Sequence, residues 1–406
     1  MTLLRIDGER LWQGLMQMAE IGPGVAGGNN RLAFSPEDDA ARGLFRRWCQ
    51  AEGLSVHSDR FANQFATRDG SEDLPPLLIG SHLDTQPTGG RFDGVLGVLA
   101  GLEVLRCLNA ADVRTRRPVT LVNWTNEEGA IIRPMMGSEV FTGALALDQA
   151  RAMTDHRGRR ISDMLDALEN GAGPNGPGFP VHAYIELHIE QGPVLEQAGE
   201  VIGVVTSGIG FRRWQLRFSG QDAHAGPTPM ETRRDAMVAA AHAVLIADRA
   251  ARALPGARAT CGRIATPNGS QVTVASQVEL TLDLRHEDLA QLDRLTARVL
   301  REIEDQALAL GVGFACEKTT DSSPVPFDSG VIAAIEAARI QNGFPGRRIV
   351  SGAGHDACNM ARVCPAGMIF VPSANGISHN ETEYTSPEHC AAGAQVLLDS
   401  VLMLAG

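Results

Sequence analysis

The chain lacks an apolar run long enough to cross a membrane, and it lacks an excess of basic charge. Its most apolar helical segment, residues 236–254, is interrupted by His242, Asp248, Arg249 and Arg252. This pattern predicts an amphipathic helix and excludes a membrane span. Acidic side chains outnumber basic ones by 48 to 36, which gives a net charge of -12. That charge argues against nucleic acid or an anionic membrane as a partner.

The cysteines lack the C-x-x-C spacing that is typical of zinc ribbons and redox motifs. There are seven of them, an odd number scattered along the chain: Cys49, Cys107, Cys261, Cys316, Cys358, Cys364 and Cys390. We interpret them as reduced thiols. Residues 1–7 also lack the charged start and the sustained apolar core of a signal peptide. Both observations predict a cytoplasmic protein.

The order of helical and strand-like segments predicts two domains. A single hydrophobic core rarely grows beyond about 250 to 300 residues, and this chain has 406. Before about residue 210 helical and strand-like patterns alternate, as in α/β proteins. Residues 212–320 instead follow the order strand, helix, strand, strand, helix, strand, with single strands at 258–265 and 278–284. This is the ferredoxin-like βαββαβ pattern.

We therefore expect a catalytic domain over residues 1–211 and 328–406, with a mixed, mostly parallel sheet flanked by helices. Residues 212–327 are expected to form an inserted ferredoxin-like lid, after which the chain returns to the catalytic domain.

Histidines and acidic residues recur beside glycine at four predicted junctions between a strand and a loop. Active sites of open α/β sheets form at such junctions. A single histidine or acidic pair there is usually structural or solvated, but four junctions of this kind favour one shared site. Imidazole and carboxylate donors together predict a two-metal hydrolase site. The candidate residues are His82, Asp93, Glu127, Glu128, His188 and His379.

Three of these predictions concern individual roles. Asp84 follows His82 by two residues and is expected to accept the proton of the second ring nitrogen, which orients the ligand. Asp93 can span two cations. Adjacent strand residues point in opposite directions, so Glu127 and Glu128 can share a site only where the strand gives way to a loop. One of them can then bind metal while the other holds a water.

Six segments of the chain resemble the amidase, hydantoinase/carbamoylase family. That family includes N-carbamoyl-L-amino-acid hydrolases, β-ureidopropionases and allantoate amidohydrolases. The resemblance keeps its order from the N-terminal helix to the last helix, and it rests on long motifs. These motifs lie at residues 80–100, 126–129, 188–196, 222–230, 351–357 and 376–381.

The resemblance implies a ligand set and a base. Two divalent metal ions (zinc, or manganese, cobalt or nickel) would be bound, with His82 and His379 on different ions. Glu127 would be the general base. The full set of implied metal ligands is His82, Asp93, Glu128, His188 and His379.

The resemblance also implies a substrate handle and a homodimer. His224 matches a histidine that stabilises the oxyanion at the active site of the other subunit, so residues 212–327 would also be a dimerisation domain. Gln191 matches a contact to the substrate amide, and Arg285 matches the arginine that binds the substrate carboxylate.

This chain departs from the family pattern at two positions. Relatives usually carry an asparagine thirteen residues before the arginine that Arg285 matches, where this chain has Val272. Asn268 or Gln271 is expected to take its place. Phe211 stands where several relatives have glutamine. Both departures bear on substrate specificity.

The sequence thus predicts hydrolysis of the carbamoyl C–N bond of an N-carbamoyl amino acid, giving amino acid, carbon dioxide and ammonia. An aminoacylase or dipeptidase using the same site, or an allantoate amidohydrolase, is the nearer alternative. A metal-binding scaffold without catalysis is the more distant one, and the unattached Glu127 argues against it.

Overall fold

The computed structural model describes residues 4–173, 178–267 and 269–406, and they divide into two compact units. The first unit comprises the chain up to residue 206 and from residue 326 onward. The second comprises residues 207–325. Among the described helices, none combines the length and apolarity that a membrane crossing needs.

The helices and strands of the described residues are as follows. The α-helices are α1 (Gly8–Ala19), α2 (Pro36–Ala51), α3 (Val95–Ala110), α4 (Met136–Phe141), α5 (Leu147–Ala152), α6 (Ile161–Asp166), α7 (Val194–Ala198), α8 (Ala236–Arg252), α9 (Leu289–Ala309), α10 (Ser329–Gln341), α11 (Asp356–Met360) and α12 (Pro387–Ala405). The strands are β1 (Ser55–Ser58), β2 (Gln64–Arg68), β3 (Leu77–His82), β4 (Val119–Trp124), β5 (Ala183–Ile189), β6 (Ile202–Gly208), β7 (Gly210–Ser219), β8 (Ala223–His224), β9 (Arg258–Thr260), β10 (Ile264–Ala265), β11 (Thr273–Val274), β12 (Gln277–His286), β13 (Gly313–Ser322), β14 (Val325–Pro326), β15 (Gly346–Ser351) and β16 (Ala366–Val371).

A mixed sheet with a parallel centre forms the core of the first unit. Its strands lie in the order β1, β2, β4, β3, β5, β16, β6, and β15 also pairs with β6. The central strands β4, β3, β5 and β16 are parallel, whereas β1, β2 and β6 pair antiparallel at the two sides. Every residue of the four central strands is buried, which requires cover on both faces. The predicted α/β class, with a mostly parallel sheet flanked by helices, is confirmed.

Local sequence explains where two helices of this unit begin. Ser35 caps α2 by accepting a hydrogen bond from the Asp38 N–H, and Pro36 occupies the first turn, where its missing N–H costs no helical hydrogen bond. Helix α3 begins after Gly94, which has a left-handed φ of 67°. Since nearly all of α3 is buried, the helix fixes the position of the chain directly before it.

The second unit has its own antiparallel sheet and core. The strands lie in the order β10, β12, β7, β13, with β9 also paired to β12. Helices α8 and α9 bury their apolar faces in a core shared with this sheet.

Two features of this unit differ from the sequence-based expectation. The single strand expected over residues 258–265 is two short strands, β9 and β10, separated at Gly262. Glycine weakens a strand interior, and β9 and β10 pair with different parts of β12, so the break depends on both. The short antiparallel pair of β8 and β11 was not predicted; it places His224 opposite Thr273.

Candidate active site

The ends of two neighbouring parallel strands bring together the first group of side chains that could ligate a metal ion. His82 is the last residue of β3, His188 lies in β5, and Asp93 comes just before α3. Their ligand atoms lie within 4.8 Å of one another. Asp93 Oδ1 is 3.1 Å from His188 Nε2 and 3.8 Å from His82 Nε2.

Main-chain carbonyls fix the tautomer of both imidazoles. Nδ1 of His82 lies 2.9 Å from the carbonyl oxygen of Asp84, and Nδ1 of His188 lies 2.9 Å from that of Ile189. A carbonyl only accepts, so each Nδ1 carries the hydrogen. The lone pair of each neutral ring therefore lies on Nε2 and faces Asp93, as a metal ligand requires.

The expected role of the Asp84 carboxylate is wrong. Its Oδ1 is 3.8 Å from His82 Nδ1, and the main-chain oxygen of the same residue takes the ring proton instead. The carboxylate accepts hydrogen bonds from the N–H groups of Glu127 and Glu128, at 3.2 Å each. The Asp84 side chain therefore faces residues 127–128, whose two N–H groups are its hydrogen-bond donors. Burial raises the pKa of Asp84 to about 7, partly opposed by the charge of His82.

A second group of ligands shares Asp93 with the first. Asp93 Oδ2 is 3.4 Å from His379 Nε2, and Glu128 Oε2 is 3.3 Å from the same nitrogen. These three residues also have ligand atoms within 4.8 Å of one another. Because the two oxygens of Asp93 face different groups, this carboxylate is placed as a bridge would be. His379 is half-exposed, and the side chain of Asp93 is only 4% exposed.

Glu127 lies beside the first group without belonging to either group. Its Oε2 is 3.5 Å from His82 Nε2, and the residue is buried. Burial raises the pKa of Glu127 well above its usual range, and the negative charges of Asp356 and Glu128 raise it further. Such a carboxyl group can exchange a proton near neutral pH.

In the two groups of candidate ligands, protons on the histidines compensate the negative charge of the carboxylates, as bound cations would. Burial disfavours the protonated ring of His188, but its hydrogen bond with Asp93 and the charge of that carboxylate raise the pKa to about 9. Hydrogen bonds with Asp93 and Glu128 raise the pKa of His379 to about 10. Neutral imidazoles and carboxylate oxygens are donors that zinc, manganese, cobalt and nickel accept. The donor set therefore fits divalent cations.

Gln191 is the predicted substrate contact that lies within the same site. Its Nε2 donates to Asp93 Oδ2 at 2.8 Å. Its Oε1 is buried and has no hydrogen-bond partner among the described residues. An acceptor left without a donor in this way is suited to bind an N–H group of a ligand.

Glu383 is a residue of the candidate site that sequence reasoning missed. Its Oε1 accepts hydrogen bonds from the N–H groups of Phe92 (3.1 Å) and Asp93 (3.0 Å), and Oε2 accepts from the Ser378 hydroxyl at 2.8 Å. Burial and the charge of Asp93 raise the pKa of Glu383 to about 7. It joins the loop before α3 to the loop that carries His379. The only sequence signal was its place four residues after His379.

Glu186 was also missed, although the sequence carried a signal for it. It lies two residues before His188 on β5, so both side chains project to the same face. Glu186 accepts hydrogen bonds from the Ser81 hydroxyl at 2.7 Å and from the Ala357 N–H at 2.9 Å. The ring of His355 packs against His188 with centroids 4.5 Å apart. Glu186 and His355 therefore help to hold the His188 ring in place.

Several loops of the site have unusual backbone geometry. Asn126, Gln191 and His379 have φ values of 55°, 57° and 53°, in the left-handed region that non-glycine residues seldom adopt. Such residues cluster at functional sites. At Gly94, a Cβ atom would lie 2.3 Å from ring atoms of His82. The ligand therefore occupies the space that a side chain at position 94 would need.

The second unit carries the other predicted site residues. His224 is exposed, and its Nδ1 accepts a hydrogen bond from the Gly226 N–H at 3.1 Å, so the neutral ring carries its hydrogen on Nε2. Gln271 lines a cavity of about 530 Å³, and Val272 is 60% exposed. Asn268 lies outside the described residues.

Arg285 is held by an acidic and an aromatic neighbour. Its Nε and Nη2 donate to the two carboxylate oxygens of Asp283 at 2.8 and 3.2 Å. The guanidinium carbon lies 5.4 Å from the centre of the Phe211 ring, which is its direct cross-strand neighbour. Arg213 contacts the same two residues, at 2.8 Å from Asp283 and 4.8 Å from the ring centre.

Known proteins with similar sequences are named as hydrolases, most of them amidohydrolases. The family model described as peptidase family M20/M25/M40 matches residues 78–403. An N-carbamoyl-L-amino-acid amidohydrolase of Rhizobium meliloti is 43% identical over 98% of this chain and 96% of its own length. An allantoate amidohydrolase of Bacillus subtilis is 32% identical over 96% and 95%.

A solved structure with nearly the same fold agrees with these matches. It is an amidase of the hydantoinase/carbamoylase family from Burkholderia multivorans, with a TM-score of 0.95 and 43% identity, covering 99% of this chain and 98% of its own. The family resemblance and the prediction of a metal-dependent amide hydrolase are confirmed.

Proposed function

We propose, since this chain belongs to peptidase family M20/M25/M40, that it hydrolyses N-carbamoyl-α-amino acids at a site with two divalent cations. The observation that carries the proposal is the arrangement around Asp93. One carboxylate faces two groups of ligands, and the unattached Glu127 lies beside them. The substrate class is supported by the N-carbamoyl-L-amino-acid amidohydrolase among the relatives.

The two groups of ligands would each hold one cation. His82, His188 and Asp93 would bind the first, and Asp93, Glu128 and His379 the second. Zinc, manganese, cobalt and nickel all suit these donors. Two cations at such a site polarise a carbonyl group and acidify a water.

Glu127 would move the proton during the reaction. Its Oε2 accepts a proton from the attacking water, and the same atom later donates that proton to the leaving nitrogen. Its raised pKa suits both steps near neutral pH. The overall change consumes one water and yields amino acid, carbon dioxide and ammonia. His224 would donate its Nε2–H to the oxyanion.

The substrate would be bound through Arg285 and Gln191. The guanidinium of Arg285 would pair with the α-carboxylate, since its planar fork matches a carboxylate better than lysine does. Asp283 holds the guanidinium in one orientation. The unpartnered Oε1 of Gln191 would accept from the carbamoyl N–H. Asn268 or Gln271 would stand in for the asparagine that relatives carry near Val272.

The second unit would serve as a ferredoxin-like lid and as the dimerisation domain of a homodimer. Helix α8 supports the dimer because it leaves apolar side chains of one face exposed: Met237, Val238, Val244 and Leu245. Exposed apolar patches of this kind mark interaction surfaces. In the dimer, His224 of one subunit would act on the site of the other.

Mixing two inactive variants tests the dimer. Heterodimers of His224→Ala and Glu127→Gln chains contain one site with both groups intact if His224 acts across the interface. Activity is then expected to return in part. If subunit exchange is demonstrated by mass spectrometry and activity stays absent, His224 acts within its own chain or has no catalytic role.

A second candidate substrate is allantoate, which the allantoate amidohydrolase among the relatives favours. An aminoacylase or dipeptidase reaction is a further alternative with the same residues. Ammonia release from a panel of N-carbamoyl-α-amino acids, N-carbamoyl-β-alanine and allantoate separates them, with an N-acetyl amino acid and a dipeptide assayed for amino-acid release. We expect the highest kcat/KM with N-carbamoyl-α-amino acids. A higher kcat/KM on any other compound would overturn the proposed substrate class.

A further inference from the structure

The two groups of metal ligands are held in place by different means. The imidazoles of His82 and His188 donate to main-chain carbonyls, so the backbone orients them. Glu128 of the second group is oriented by the side chain and main chain of one residue, Gln86. This difference makes the two positions separately sensitive to mutation.

Gln86 contacts every oxygen atom of Glu128. Its main-chain N–H donates to Oε1 at 3.1 Å, and its side-chain Nε2 donates to Oε2 at 2.9 Å and to the main-chain oxygen at 3.0 Å. An amide nitrogen has two hydrogens, and these two contacts use both. The Glu128 carboxylate therefore cannot rotate without losing hydrogen bonds.

The oxygen that Gln86 holds is the one that faces the second position. Glu128 Oε2 lies 3.3 Å from His379 Nε2. His379 itself is half-exposed, and its φ lies in the left-handed region. Without Gln86, the carboxylate of Glu128 would be free to rotate beside a ligand that is already exposed. Fixing the rotation in advance lowers the entropy that cation binding must overcome.

We propose that Gln86 is a positioning residue that sets the affinity of the position formed by Glu128 and His379, and leaves the position formed by His82 and His188 unchanged. This inference rests on the proposed two-metal function. Partners that orient a metal ligand typically change metal affinity by about 10- to 100-fold when they are removed. The same loss is expected here, for one of the two cations only.

The test is metal binding to the full-length protein with Gln86→Met. Methionine keeps the length of the side chain and removes its donors, while the main-chain N–H remains. Gln395→Met is the matched control. Gln395 is buried, whereas Gln86 is partly buried, and the Gln395 amide donates to Leu4 and Asp399, at 3.1 Å each and away from every metal ligand. Zinc affinity is measured by competition with a chromophoric chelator, and bound zinc by elemental analysis after dialysis.

Wild type and Gln395→Met are expected to retain two zinc ions per chain. Gln86→Met should retain one, with the weaker affinity lowered about 10- to 100-fold and the tighter one changed less than about twofold. Gln86→Asn keeps the amide but shortens the reach by one methylene, and it should weaken the same position. Melting temperatures of the metal-free variants check that each is folded.

Two outcomes would overturn the inference. Equal loss of both affinities in Gln86→Met would mean that Gln86 supports the site as a whole. Unchanged affinities in both Gln86 variants would mean that the hydrogen bonds to Glu128 do not affect binding. If the wild-type protein saturates at one ion per chain, the two-metal proposal itself is overturned. This outcome is recognisable because the Gln395→Met control then also binds one ion.

Discussion

The candidate residues of the two units differ in how their surroundings hold them. In the first unit, Asp93 is buried and contacts three histidines, Gln191 and Ser378. In the second, His224 is exposed, and its ring accepts a hydrogen bond from the neighbouring Gly226 N–H. A buried network is positioned by the fold before any ligand arrives. An exposed side chain acquires its final geometry from what binds there.

This contrast predicts two kinds of mutational effect. Changes in the first unit should alter metal content or the rate of the chemical step. Changes at Arg285 and Phe211 in the second should instead alter how tightly a carboxylate-bearing substrate is bound, with metal content unchanged. Each of the following experiments would sharpen that separation or break it.

The largest effect is expected for Glu127→Gln. The amide keeps the shape of the side chain but cannot accept the proton, so kcat should fall by about 10²- to 10⁴-fold, with KM and metal content near wild type. Steady-state kinetics and elemental analysis check this. Glu103→Gln is the matched control, because Glu103 is a buried carboxylate paired with Arg10 outside the site. Turnover near the wild-type rate in Glu127→Gln would rule out the proposed base.

Arg285→Ala should be next in size. Loss of a desolvated ion pair with the substrate is expected to cost about 2 to 5 kcal/mol in kcat/KM, without change in metal content. Arg213→Ala is the control, since Arg213 touches the same Asp283 and Phe211 but is not assigned to substrate. Wild type, Arg285→Ala and Arg213→Ala should all turn over a carbamoyl compound that lacks a carboxylate at the same rate. Equal losses on both substrates would show a structural role for Arg285.

Metal uptake should depend on pH in the first unit. The pKa values of about 9 for His188 and about 10 for His379 exceed the value of about 6.5 for an unfolded histidine. Their protonation therefore stabilises the metal-free fold fully below about pH 6.5, and this stabilisation is lost as the pH rises through those values. A cation must displace these protons, so the apparent affinity of each position should rise about tenfold per pH unit between about pH 6.5 and 9.

Calorimetry measures the proton release directly. At pH 7.5, loading the metal-free protein should release about two protons per chain, one from each histidine. Titrations in two buffers of different ionisation enthalpy give this number. A binding heat that is the same in both buffers would contradict the expectation.

The smallest effect is expected for Phe211→Gln. The contact between the Arg285 guanidinium and the aromatic ring is worth about 0.5 to 1 kcal/mol, so KM should rise by about two- to fivefold with kcat unchanged. Phe211→Leu, which keeps an apolar side chain without the ring face, should behave alike. A lower KM in the glutamine variant would mean instead that a polar group at this position contacts the substrate.

The sequence predicted the candidate ligands that the structure brings together, but not the residues that hold them. His82, Asp93, Glu128, His188 and His379 could be found because each lies in a recognisable glycine-flanked motif at a strand end. The contact of Glu383 with the loop of Asp93 joins positions 290 residues apart, and nothing local encodes it.

The error at Asp84 has a similar cause. Spacing shows that a carboxylate is near His82, but not whether the side chain or the main-chain oxygen reaches the ring. The backbone conformation decides this, and the two N–H groups of the 127–128 turn attract the side chain. The division of residues 258–265 into β9 and β10 likewise depends on pairing with β12, which a propensity pattern does not contain.

Gly94 narrows the range of sequences that can preserve this site. Two independent features disfavour every other amino acid at position 94. They are its φ of 67° and the 2.3 Å that would separate a Cβ atom from the His82 ring. Even alanine, the mildest replacement elsewhere, would have to displace the ring of His82. In a library of random variants, position 94 should therefore tolerate no substitution, although it carries no chemical group of its own. Substitutions should be tolerated far more often at the exposed residues of the second unit than at Gly94.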